Sequence, residues 1–308
     1  MSRGLSTVAD VLVCLVLVSA AATTLALPTA PTPSPDADAA VTVVERTTTD
    51  IEYRLVAPDD EHIPASMLWR RTTGRLSELL ARSAVRNATI DGNQLTHASD
   101  EFERRVAAVV VNATGPQTQV VARWQPFPGA AIGGTVVAGP APPADAAVAT
   151  QTRLVTTAGE PRRQATLAAE DFGYAGVAAV AATRTTERLW PATGMRNALA
   201  ADYPTDRLAV ARYEAAGRHL GVSVEDALAT RNVTGVHSRL RETLQRRYEL
   251  RLRERFDSPE EAARAIQPGV TVVARRWSAR TSAPARRAHC SARRVSSGAR
   301  VSPPASVR

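Results

Sequence analysis

Residues 99–124, SDEFERRVAAVVVNATGPQTQVVARW, carry the reading that decides the fold class. Ser99 stands where an N-cap belongs, and Asp100, Glu101 and Glu103 put negative charge in a first turn. The spacing predicts a helix over Asp100–Asn112, stopped by Gly115-Pro116. Gln119–Trp124 then reads as a strand, and Pro126-Phe127-Pro128-Gly129 as the turn after it. The same order recurs in residues 258–277, SPEEAARAIQPGVTVVARRW. There Ser258 caps a short helix, Pro259–Ile266, with Pro at its first position, and Gly269–Ala274 is the strand. Both strands are expected to put Val on one face and Arg on the other. Convergent patterning in a biased composition accounts for this echo. A true repeat would pair the two strands in one sheet and make one domain rather than two.

Outward from these two units, residues 41–57 alternate, are rich in β-branched side chains and predict one or two strands. Ser66–Ala88 predicts a helix with Trp69, Leu76, Leu79, Leu80 and Ala84 on one side. Thr135–Ala138 and Val148–Thr156 are further strands, separated by the loop GPAPPAD. Helices are predicted at Leu167–Leu189, Pro204–Leu220, where Gly221 is a good stop, and Thr234–Phe256.

Aromatic residues make up only 4% of the chain, so the core must be built from Ala, Val and Leu. There is no lysine; all 38 basic residues are arginine, the bias of a GC-rich genome. The net charge of +8 arises at one end. Ten arginines and no acidic residue follow Glu261, which leaves 28 Arg against 30 Asp and Glu before it. A near-neutral body with a basic tail gives no electrostatic footprint for nucleic acid. Cys14 and Cys290 are poorly placed to pair and have no metal-type spacing.

Residues 11–27, VLVCLVLVSAAATTLAL, are uncharged; with Val8 and Ala9 the stretch is long enough to span a bilayer, though Asp10 interrupts it. Arg3 upstream biases the orientation so that the rest of the chain lies outside. Three processing routes fit: an uncleaved anchor, a signal peptide cut near Ala20–Ala22 or after Ala26, or a pilin-type cut between Gly4 and Leu5. Residues 28–40 are expected to be a Pro-rich linker, 41–277 the folded domain, and 278–308 a disordered basic tail. The tail's composition is also what out-of-frame translation of GC-rich DNA yields. Asn87, Asn112 and Asn232 head Asn-x-Thr sequons and are candidate glycan acceptors if the chain is exported.

The start around Gly4-Leu5, residues 73–82 (TGRLSELLAR), 119–130 (QVVARWQPFPGA), the GPAPPAD loop and the Asp-Tyr-Pro at the start of the Pro204 helix form a set. Together they resemble an uncharacterised haloarchaeal family with a pilin-like N-terminus, found beside pilus and secretion-type genes. The start departs from pilins, which often carry Glu at the fifth mature position, where Ala9 stands. The resemblance covers residues 1–277 and brings no catalytic or ligand residues with it.

The expected fold class is therefore α+β: an N-terminal transmembrane helix followed by an extracytoplasmic mixed helix/sheet domain. No nucleotide loop, zinc motif or nucleophile elbow is present. Gly133-Gly134 reads as a turn, and Glu170-Asp171 as first-turn charges. His62, His97, His219 and His237 lie far apart and read as surface or polar-core residues. The basic stretch 239–255 reads as a solvated amphipathic helix laced by Glu242–Arg246 and Glu249–Arg253 pairs, with contact to anionic lipid or an acidic partner as the alternative. No catalytic, cofactor-binding or metal residue is assigned. The expectation is a non-enzymatic, membrane-anchored, single-pass accessory protein of a cell-surface pilus or secretion apparatus. Its partners are the membrane and other subunits of that apparatus, with neither nucleic acid nor a small-molecule ligand. The alternative is an exported hydrolase with residues scattered beyond motif detection.

Overall fold

The computed structural model describes residues 36–57, 62–156 and 159–278. The chain starts with α1 (Ala37–Arg46), where the alternation at 41–57 predicts strand. The Asp36 carboxylate accepts from the amides of Asp38 (3.0 Å) and Ala39 (3.1 Å). Ala37, Ala40, Val41 and Val44 then fall on one buried face at helical spacing. The cap and this stripe outweigh the β-branched bias of 41–44. Residues 37–40, read as the end of a linker, are thus helix.

Next come β1 (Thr48–Arg54), a 3-10 turn (Ala65–Leu68) and β2 (Trp69–Arg75). The predicted helix over Ser66–Ala88 is corrected here: only α2 (Leu76–Arg86) is helical. Residues 69–75 pair with all of β1, from Arg54↔Trp69 to Thr48↔Arg75. They hold no apolar stripe to bury as a helix. Asp50 ties this pair together by accepting from Thr73 and, at 2.7 Å, from Arg71. Trp69, expected on the buried side, is 51% exposed.

Two short strands follow, β3 (Ala88–Ile90) and β4 (Asn93–Gln94), then α3 (Asp100–Thr114) and β5 (Thr118–Trp124). Ser99 does occupy the N-cap of α3, but its hydroxyl makes no capping bond. β6 (Ile132–Ala138) and β7 (Val148–Thr156) lead into the helical half. That half comprises α4 (Pro161–Leu189), α5 (Ala192–Ala200), α6 (Thr205–Leu220), α7 (Glu225–Ala229), α8 (Val233–Arg255) and α9 (Pro259–Ala265). Gly173 breaks α4 with a left-handed φ of 59°. Strand β8 (Gly269–Trp277) ends the described chain.

The main sheet has six antiparallel strands in the order β4-β3-β6-β5-β8-β7. Helices α1, α2 and α3 pack against it. Val120, Ala122 and Trp124 of β5 are buried, while Val121 shares its face with the exposed Arg123. The strand faces therefore separate Val120 from Arg123, and not all Val from all Arg. The two echoing strands are neighbours in the sheet, with Val121 opposite Val273 and Val120 opposite Ala274. Their helices part company: α3 packs against β5 and β6, whereas α9 packs chiefly against α4. The echo is thus one of strands and not of whole units.

One contiguous cluster of buried residues joins both halves, from Ala40 through Leu80, Phe102 and Tyr248 to Ala274. The ring of Phe127, after β5, meets Tyr248 of α8 edge-on at 5.2 Å, and the Tyr248 hydroxyl donates to Thr185 of α4 at 3.1 Å.

The fold class expected from the sequence needs correction in one part. The described chain is α+β, but none of its described helices is long and apolar enough to cross a membrane. α4 and α8 have the length, at 29 and 23 residues, but carry charged side chains along it. The expected span at 8–27 lies outside the described residues, as do Gly4, Leu5, Cys14, Cys290, most of the 28–40 linker and the tail beyond 278.

Candidate functional site

Between the first half of the chain and the α5–α6 pair lies a cavity of about 870 Å³. One wall is Tyr53 and Leu55 at the end of β1, Arg86 at the end of α2, and residues 93–99. The other is α5, with Met195, and one face of α6 from Leu208 to His219. The pattern of α6 explains this placement. Ala209, Tyr213, Ala216 and Leu220 are buried, so the flanking Arg212 stands at the boundary between core and cavity.

Arg86 and Arg212 set the electrostatics. The Arg86 guanidinium lies 4.7 Å from the centre of the Phe102 ring and donates to the Tyr53 hydroxyl at 3.0 Å. Arg212 donates to the carbonyl of Leu189 at 2.6 Å. Burial, with the nearby Arg86 charge second, lowers the Arg212 pKa to about 10, so it remains a cation at neutral pH. Among the described residues neither guanidinium has a carboxylate within ion-pair distance. Arg70 and Arg218 add positive charge to the lining, and Glu214 is a carboxylate there.

The four described histidines fall into three situations. His97 and His219, remote in sequence, both line this cavity, with His97 Nδ1 at 3.1 Å from Asp100. His62 is exposed, and its carbonyl accepts from the Tyr203 hydroxyl at 2.9 Å. His237 is buried and shares a 2.5 Å hydrogen bond with Tyr213. Burial first, then the charges of Arg241 and Arg196, lower its pKa, which favours a neutral ring accepting from the tyrosine. Arg86, Arg212 and their convergence with His97 and His219 were not singled out from the sequence. Nothing local marks them, since the cavity forms between segments far apart in the chain.

The other sequence candidates find simple roles. Gly133-Gly134 is no turn but the interior of β6. A Cβ on Gly134 would sit 1.9 Å from the Ala84 carbonyl oxygen, so glycine lets α2 lie against the strand. Glu170 and Asp171 are exposed just before the break in α4. On α8 the expected pairs form, Glu242–Arg246 at 3.4 Å and Glu249–Arg253 at 2.7 Å, over a buried face of Val236, Leu240, Leu244 and Leu252 that also takes in Tyr248. Among the sequons, the Asn87 side-chain amide donates to the Thr135 carbonyl at 2.9 Å, the Asn232 side-chain Oδ1 caps α8 by accepting from the Gly235 amide, and Asn112 is exposed on α3. No group of three or more potential metal ligands occurs among the described residues.

A second feature is the edge of the sheet. β7 pairs along all nine residues with β8 and lies last in the strand order. Its sequence, VATQTRLVT, holds neither Pro nor Lys, and Val148 and Leu154 are 40% and 43% exposed. Its single charge, Arg153, is held by Asp38 (3.3 Å) and Glu45 (3.5 Å) of α1. Among the described residues no strand pairs with the outer side of β7, and Arg153 is the one charge on it.

Residues 9–277 match the family described as family of unknown function DUF7284. The chain belongs to this family. No curated protein and no solved structure matches it.

Proposed function

We propose that this member of the family is a non-enzymatic, extracytoplasmic accessory subunit of a cell-surface pilus or secretion apparatus, joined to a neighbouring subunit through the edge of β7. The observation that carries the reading is the nine-residue edge of β7, which pairs with β8 on one side and with no described strand on the other. Strand addition supplies main-chain hydrogen bonds, and the outward Thr150, Thr152 and Leu154 supply side-chain specificity. The haloarchaeal origin and the pilin-like start around Gly4-Leu5 belong to the same proposal and rest on the resemblance. Glycans at Asn112 and Asn232, whose side chains can carry one without breaking a bond into the sheet, belong to it as well and rest on the sequons and on export.

The test is a photo-crosslinking side chain at Thr152, with the adduct identified by mass spectrometry in the native cell envelope, beside a strain lacking the gene. An adduct to a pilus or secretion subunit, with assembly impaired in the deletion strain, supports the reading. Unchanged assembly together with no adduct overturns it.

A further inference from the structure

The cavity between the β1–β4 region and the α5–α6 pair goes beyond a role in assembly, and independently of it. Its size lies within the range of pockets that hold small ligands, roughly 300–1,000 Å³. Leu95, Met195 and Ala209 are each less than a tenth exposed and give the lining apolar surface. Arg86 and Arg212 belong to the same lining. A guanidinium has five N–H donors. Arg86 directs one at Tyr53 and Arg212 one at Leu189, which leaves most of the donors of both groups without a described acceptor. Two neighbouring cations with spare donors and no described ion pair repel each other, and a shared oxyanion relieves that repulsion while accepting from both.

We infer that this cavity binds a small amphiphilic anion, a carboxylate or phosphate monoester on an aliphatic body, with its oxyanion held between Arg212 and Arg86. The aliphatic body lies on Leu95, Met195 and Ala209. Glu214 in the same lining opposes an anion, and the four lining arginines Arg70, Arg86, Arg212 and Arg218 outweigh it. Arg70 and Arg218, in the same lining, add to the positive potential that draws anions in.

The test uses the full chain and isothermal titration with octanoate, octyl phosphate, octanol and inorganic phosphate. Saturable binding of octanoate or octyl phosphate is expected, about tenfold or more tighter than octanol. The tighter of the two anions names the natural head group. Arg212→Gln should weaken that anion about tenfold, and Arg212→Lys less, because charge persists but the planar fork is lost. Arg212 also holds the Leu189 carbonyl, so a second variant guards against a folding defect: Ala198→Trp should fill the cavity and abolish binding with both arginines in place. Octanol binding as tightly as octanoate and octyl phosphate, inorganic phosphate binding as tightly as octyl phosphate, unaltered affinity in Ala198→Trp, or no saturable binding of either amphiphile would each overturn the inference.

Discussion

Gly134 and Glu103 show how single residues carry strain and charge in this fold. At Gly134 the Ala84 carbonyl oxygen occupies the place of a Cβ, and both partners are backbone. Neither can rotate away, so Gly134→Ala must push α2 off the sheet. A loss of about 3 kcal/mol is expected in urea denaturation. Glu103 sits on α3 with Oε1 buried and unpartnered. Burial first, then Asp100, raises its pKa to about 7, against a smaller opposing effect of Arg86. The folded chain therefore keeps a proton that the unfolded chain releases near pH 4.5. Glu103's contribution is fully present below pH 4.5 and is lost as the pH rises from there through about 7. With its partial exposure screening the charge, the loss is about 1–2 kcal/mol. Denaturation at pH 5 and pH 8 should show it, and Glu103→Gln should remove the slope by stabilising the chain at pH 8. A slope that survives the substitution assigns it to another group.

At the scale of elements, α8 separates burial from surface charge. Leu244 is fully buried, and Leu244→Ala should cost about 2–5 kcal/mol. Glu242→Ala removes an exposed pair on the same helix and should change stability by less than about 0.5 kcal/mol. Chemical denaturation of both variants measures the contrast. For β7 the expected result is reversed. Thr150→Lys on the exposed edge should leave monomer stability within about 0.5 kcal/mol yet abolish the envelope crosslink from position 152, since an edge lysine opposes strand addition. Legibility in the sequence differed between elements for a physical reason. α3, α6 and α8 have stripes that recur over several turns, and β7 lies between clear loop signals. β2 was hidden because residues 69–75 have no periodicity of their own and become a strand by pairing with β1. α1 was hidden because its four β-branched residues mask a stripe made visible by its burial.

At the scale of the molecule, β8 closes the structure from the far end of the described chain. It lies between β5 and β7, so it completes two ladders with strands formed much earlier in the sequence. Removing residues 269–308 would strip β7 of its partner and uncover Val120 and Ala122. That chain should show no cooperative thermal transition by circular dichroism, and its retention would mean that the helical half folds alone. Such distant pairing also predicts slow folding, because loop closure precedes the contacts that reward it.

The sequence by itself determined the α+β class of the body, the long helices, the ion pairs on α8 and the segregation of charge toward one end. These follow from composition and from periodicities contained within an element, which neighbouring residues enforce. Tertiary structure alone decided that the two Val-Val-Ala strands are sheet neighbours while their helices diverge. It also decided that Gly134 yields to a helix backbone, and that Arg86, Arg212, His97 and His219 share one cavity. Each of these depends on the approach of segments far apart in the chain. A one-dimensional pattern fixes which face a side chain leaves its own element on, and not what the rest of the chain brings to meet it.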